Sequence, residues 1–206
     1  MVKQERAART RETLIRSAAE IFGREGFSRA SLTAICARAG VSAGALHFHF
    51  ESKAALADVV EAEALTRMVA VIRAEFPATT SHVQLLVDAT HRLADALRSD
   101  VVLRTGFSLG SEPSHPAGAD LRDHWRCWVE QELGQAEAKG ELRPDVAARD
   151  VVTAVVAATV GLEVLGVRDA RWLSEATVSR VWRLLLPSVA PSALLAQLEA
   201  GGTRPR

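Results

Sequence analysis

The stretch that most limits what this chain can become is residues 31 to 50, SLTAICARAGVSAGALHFHF. Ser31 stands where it can cap a helix running through Ile35 and Cys36 to Ala39. Gly40 allows a left-handed turn, and Ser42 can cap a second helix over Ala43 to Phe48. Two short helices joined by Gly40, Val41 and Ser42 have the length and punctuation of a helix-turn-helix, and such a unit needs further helices to bury its apolar faces. The sequence supplies them. From Arg9 to Gly26, the residues Ile15, Ala18, Ala19 and Phe22 recur at helical spacing, with Gly26 as the stop. Further helices are expected from Ser52 to about Ala74, His82 to Ser99, Val101 to Leu109, Ala119 to Lys139, Val146 to Gly166, Trp172 to Leu186 and Ser192 to Ala200. The breaks fall at Pro77 and Thr79 to Ser81, and in SEPSHPAG, KGELRPD and PSVAP, which carry turn chemistry. No run of alternating β-branched residues appears, so the expected fold class is all-α.

Composition narrows the function classes. With 206 residues, 48% of them hydrophobic, the chain can bury a real core. Cys36 and Cys127 form no C-x-x-C pair, so neither a disulfide framework nor a zinc site is implied. MVKQERAARTRET lacks the apolar core of a signal peptide, and Val151 to Leu162 falls short of the ~20 residues that span a bilayer. These features predict a cytoplasmic protein without a membrane span. The formal net charge of zero hides an asymmetry: residues 1 to 53 hold nine Lys and Arg against five Asp and Glu, leaving the remainder four charges negative. A basic start on an acidic chain orients that end toward a polyanion.

The stretch SLTAICARAGVSAGALHFHFESKAAL resembles the helix-turn-helix of the TetR family of repressors: a short helix, A-G-V-S/T, a small-residue recognition helix, an aromatic-rich end and then x-x-K-x-x-L. The chemistry suits that use, because small residues at Ala43, Gly44 and Ala45 let the backbone approach bases in a major groove. Carried over position by position, the resemblance implies that Thr33, Ala43, Gly44 and Ala45 face bases, while Ser42, His47, His49 and Lys53 lie near phosphates. Related receptors often have Lys at the position of Ala43 and Tyr at that of His47, which implies fewer polar base contacts here or a shifted operator. Phe48 and Phe50 are expected to be core aromatics that seat the recognition helix. His47 and His49, two apart, point to different sides of a helix and do not chelate, so no metal or cofactor is expected.

The rest of the chain carries a second resemblance. VVLRTG at 101 to 106, the polar proline loop, DHWRCW, and VAATVGLEVLG at 156 to 166 look like the γ-butyrolactone receptor branch of that family. There a tryptophan after the loop lies against the lactone ring; here it is Trp125. An apolar effector needs an apolar cavity with a few polar anchors, and Leu86, Leu103, Phe107, Trp125, Thr159 and Leu162 come from four helices able to surround one. Receptors of the branch often place Gln on the fourth helix and Thr after the glycine of the eighth, where this chain has Ala64 and Leu162. That departure fits the branch's pseudo-receptors, which sense antibiotics or no diffusible lactone.

The expected organisation is a DNA-binding domain over 1–52, a helical effector-binding and dimerisation domain over 53–200 and a disordered tail over 201–206. The expected function is that of a ligand-responsive repressor binding a palindromic duplex as a homodimer. Its interface would be the apolar helices at Val151 to Leu165 and Val181 to Leu186. GFSLG, at 106 to 110, formally matches a hydrolase nucleophile elbow with Ser108 as nucleophile, but that motif needs a strand before it, and SDVVLRT reads as helix. No enzymatic activity is expected.

Overall fold

A computed structural model describes residues 2–73, 80–115, 118 and 120–203, and among them there is helix but no strand. In chain order the helices are α1 (Val2–Glu25), α2 (Leu32–Ala39), α3 (Ala43–His49), α4 (Lys53–Ile72), α5 (His82–Ser99), α6 (Val101–Leu109), α7 (Leu121–Ala138), α8 (Ala148–Gly166), α9 (Glu175–Val189) and α10 (Ser192–Leu195), with a 3-10 turn at Ala170–Leu173. The expected end of the fourth helix at Ala74, its turn at Pro77 and Thr79, and the start of the seventh at Ala119 lie outside the described residues. None of the described helices is long and apolar enough to cross a membrane.

The chain forms two compact units: Met1–Val69 with Asp100–Leu121, and Ala70–Ser99 with Arg122–Arg206. The first extends past the expected boundary at 52 along α4 and also takes in α6, because α6 packs on α1. Thr105 Oγ1 donates to the Ala19 carbonyl at 2.9 Å. A Cβ on Gly106 would lie 2.3 Å from the Cβ of Ala64, so α6 approaches α4 through a glycine facing an alanine. Leu14, Ala18 and Ala19 of α1 are fully buried, as the helical spacing of its apolar residues requires. Gly26 (φ 78°) ends α1, and Gly40 (φ 66°) ends α2.

In the second unit α5 packs against α8, α9 and the 3-10 turn. The last helix is shorter than expected, because side chains on α5 compete for its backbone. Gln84 accepts from the Glu199 N–H at 2.8 Å and donates to the Glu199 carbonyl at 3.2 Å. Asp88 takes the Thr203 N–H at 2.7 Å. Residues 201–203 are therefore tied down rather than loose, while 204–206 lie outside the described residues. Trp172 belongs to the 3-10 turn; α9 starts after Ser174, whose Oγ caps the Thr177 N–H at 3.3 Å, and continues past Pro187 to Val189. A proline this close to a C-terminus removes one helical hydrogen bond without ending the helix.

Candidate DNA interface and effector cavity

The helix-turn-helix is built as its punctuation implies. Ser31 Oγ accepts from the Ala34 N–H at 3.1 Å, and Ser42 Oγ from the Ala45 N–H at 3.2 Å. Leu46 and Phe50 are buried and seat α3, with the Arg11 guanidinium 5.7 Å from the Phe50 ring centroid. This leaves Ser42, Ala43, Gly44 and His47 exposed on one surface, together with Thr33 of α2; Ala45 and His49 are half-buried. Phe48 corrects the expectation made for it: at 79% exposed it is no core aromatic. Leu46 and Phe50 already fill the inward positions, so Phe48 is turned outward, edge-on to the His49 ring at 5.1 Å.

Lys53 opens α4, where the helix dipole disfavours a cation. Compensation comes from the turn after α1: its ammonium donates to the carbonyls of Phe27 (2.8 Å), Ala30 (3.0 Å) and Ser28 (3.2 Å) and lies 4.5 Å from the Phe27 ring centroid. A phosphate contact by Lys53 would require one of these bonds to be given up. Arg38 of α2 pairs with Glu20 of α1. The hydrogen bond from Arg38, then its charge, holds the Glu20 carboxyl below its ordinary value despite some desolvation. An open polar groove of about 290 Å³ runs past this pair between Glu12 and Arg38, and its exposure to solvent makes it no enclosure for an apolar ligand.

The six residues expected around an effector divide between the units. Leu103 and Phe107 are core residues of the first; Leu86, Trp125, Thr159 and Leu162 are buried in the second. Trp125, 1% exposed, donates its indole N–H to Thr159 Oγ1 at 2.8 Å and stacks on Trp128 with centroids 5.2 Å apart. The Thr159 hydroxyl in turn donates to the Val155 carbonyl at 2.9 Å. Beside Thr159, Leu162 and Leu173 lies a cavity of about 10 Å³. That is room for about one water, so the second unit is closed here. Ala64, where the branch often has Gln, is instead the small partner that Gly106 needs in the first unit.

One anchoring ion pair had no clear sequence signal. Asp100 caps α6 through the Val102 and Leu103 N–H groups (2.9 and 3.2 Å) and accepts from Arg67 at 2.8 and 2.9 Å. Burial alone would raise the Asp100 carboxyl, but the Arg67 hydrogen bonds, the two N–H groups and the Arg67 charge together hold it below its ordinary value. An acidic residue directly before an apolar run was a legible cap, whereas its ion-pair partner 33 positions away was not. GFSLG lies at the end of α6, with Ser108 donating to the Arg104 carbonyl at 3.3 Å. No strand precedes it, so no nucleophile elbow forms.

Residues 14–60 match the family described as bacterial regulatory proteins, tetR family. The A-factor receptor protein of Streptomyces griseus is 32% identical over 98% of this chain and 71% of its own length. The chain belongs to the TetR family. Among solved structures, this TetR-family chain is similar to a γ-butyrolactone receptor described as ArpA-like, at 25% identity and TM-score 0.77 over 93% of each chain. It is also similar to CprB of Streptomyces coelicolor in complex with its operator, at 26% identity and TM-score 0.78, covering 93% of this chain and 94% of that one. These relatives are described as a TetR-family regulator and as receptors for A-factor and γ-butyrolactone, and nothing among them supports a serine hydrolase.

Proposed function

We propose that the protein is a cytoplasmic, homodimeric repressor that binds a palindromic operator and is released from it by a small apolar effector. The observation that carries this reading is the pre-formed recognition helix: α3 is seated by Leu46 and Phe50 and presents Ala43, Gly44, His47 and Phe48 outward. A relative solved with its operator and relatives named as receptors for A-factor and for γ-butyrolactone support both halves of it. Thr33, Ala43, Gly44 and Ala45 are assigned to bases, and Ser42, His47 and His49 to phosphates. Dimerisation is assigned to α8 and α9, where Val164, Leu165 and Leu184 remain exposed, the last at 79%. Apolar side chains left in water on both helices, if brought together as one patch, would be covered by a second copy. No residue is assigned a catalytic role.

The nature of the effector divides receptor from pseudo-receptor. Leu162 offers no hydrogen bond at the position where the branch often has Thr, and Trp125 is already bonded to Thr159. Both favour an effector flatter and less polar than a hydroxylated lactone. Adding a synthetic γ-butyrolactone, or separately an aromatic polyketide, to the protein bound on its own upstream duplex separates the two. Release by the polyketide at concentrations at least tenfold below the lactone supports the pseudo-receptor reading, whereas release by the lactone at lower concentration overturns it. Release by no apolar compound would overturn the effector half of the proposal.

A further inference from the structure

We propose that Asp58, Glu61 and His115 form a binding site for a divalent transition-metal cation of the Zn²⁺ class within the first unit. The three residues each offer one ligand atom, and those atoms all lie within 4.8 Å of one another. His115 Nε2 is 3.3 Å from Glu61 Oε2 and 3.5 Å from Asp58 Oδ1. The His115–Glu61 and His115–Asp58 separations suit two ligands at roughly tetrahedral angles on a cation ~2.0–2.1 Å from each, the bond length of Zn²⁺ to imidazole nitrogen and carboxylate oxygen, and a rotation of the exposed Asp58 carboxylate would draw the third ligand in. One imidazole and two carboxylates suit a borderline cation with an open position for water.

An independent observation points to a missing partner. Glu61 is 1% exposed, and its Oε1 has no hydrogen-bond partner among the described residues, while Oε2 accepts from the Gly118 N–H at 3.1 Å. Buried carboxylate oxygens are normally satisfied, so an orphaned oxygen on a carboxylate whose other oxygen faces a buried imidazole leaves room for a cation as the missing partner. His115 itself is buried, with its ring against Phe27 at a centroid distance of 4.8 Å.

The site is assembled from residues one helical turn apart on α4 and a third from the segment after α6. That segment is also tied to the turn after α1, through Ser114 and Ser28 at 2.7 Å. A bound cation would clasp the α6 segment to α4, and with it brace the turn that Lys53 holds. The sequence did not reveal this because no pair of ligands has a recognisable metal spacing; His115 is 54 positions from Glu61.

Isothermal titration of chelator-stripped full-length protein with Zn²⁺, alongside elemental analysis, tests the site. One saturable Zn²⁺ per chain is expected, with an X-ray absorption shell of nitrogen and oxygen ligands including a single imidazole. His115→Gln and Glu61→Gln should each weaken binding by about tenfold or more. Asp58→Asn guards against misfolding, because Asp58 is 59% exposed: it should weaken Zn²⁺ binding while leaving the metal-free melting temperature unchanged. Absence of saturable binding, or binding that survives all three substitutions, would overturn the proposal. The operator and the effector play no part in this experiment, so its failure leaves the repressor reading standing.

Discussion

The bond between Trp125 and Thr159 is the feature most open to direct energetic test. Replacing Thr159 by Val keeps the shape of the side chain and removes the acceptor at 2.8 Å, leaving a buried indole N–H unpaired. An orphaned buried donor costs about 1–3 kcal/mol, and the methyl that replaces the hydroxyl offsets part of this through burial, ~0.8 kcal/mol for a full CH₂. The expected net loss is about 1–2 kcal/mol, or roughly 2–8 °C in Tm for a domain of this size. Urea unfolding of Thr159→Val, Trp125→Phe and the double variant closes a cycle that subtracts the packing lost with the indole. A coupling of about 1–2 kcal/mol is predicted for the pair. A coupling within ~0.3 kcal/mol of zero would refute the reasoning, since the indole N–H would then be satisfied without Thr159.

Four further outcomes follow from the geometry. Phe48→Ala should lower operator affinity at least tenfold with Tm unchanged, because the ring is exposed and seats nothing, as a fluorescence anisotropy titration and a melting curve together would show. Asp100→Ala should cost about 1–2 kcal/mol at neutral pH through the lost cap and the half-exposed ion pair. Its folded-state carboxyl lies below its ordinary value. Its contribution is therefore full above about pH 4 and lost as pH falls through the folded value, so wild type and variant should converge in stability in strong acid. Gly106→Ala should destabilise by roughly 1–3 kcal/mol or more, since its Cβ would meet that of Ala64; unchanged urea unfolding would mean that α6 shifts freely. Leu184→Glu should give a monomer in light scattering and abolish operator retardation, and a dimer of undiminished affinity would place the interface elsewhere.

Much of the helix-turn-helix was legible because local chemistry encodes it. Ser31, Gly40 and Ser42 act through their own backbone neighbourhoods, and each stands where its sequence position implied. Phe48 was misread for a reason of register: two aromatics two positions apart cannot both face inward from a helix, and periodicity alone did not say which would. The C-terminal segment failed for a different reason. Gln84 and Asp88 capture residues 199 and 203 across 115 positions, a long-range competition that no local propensity displays. The residues expected around an effector pose a related difficulty: apolar spacing marks Leu86, Leu103, Phe107 and Leu162 as buried, which they are, but burial in a core and burial around a cavity look alike in sequence.

Operator recognition by α3 can be read in one titration. A labelled palindromic duplex from the chain's own upstream region is compared by fluorescence anisotropy with a scrambled duplex of equal length at physiological salt. Binding of an even number of chains per duplex is expected, with an affinity at least ~1,000-fold tighter than for the scrambled sequence and a loss of that preference when Ala43 and Gly44 are replaced by bulky residues. Equal affinity for the two duplexes, or an unchanged preference in the bulky variant, would contradict it.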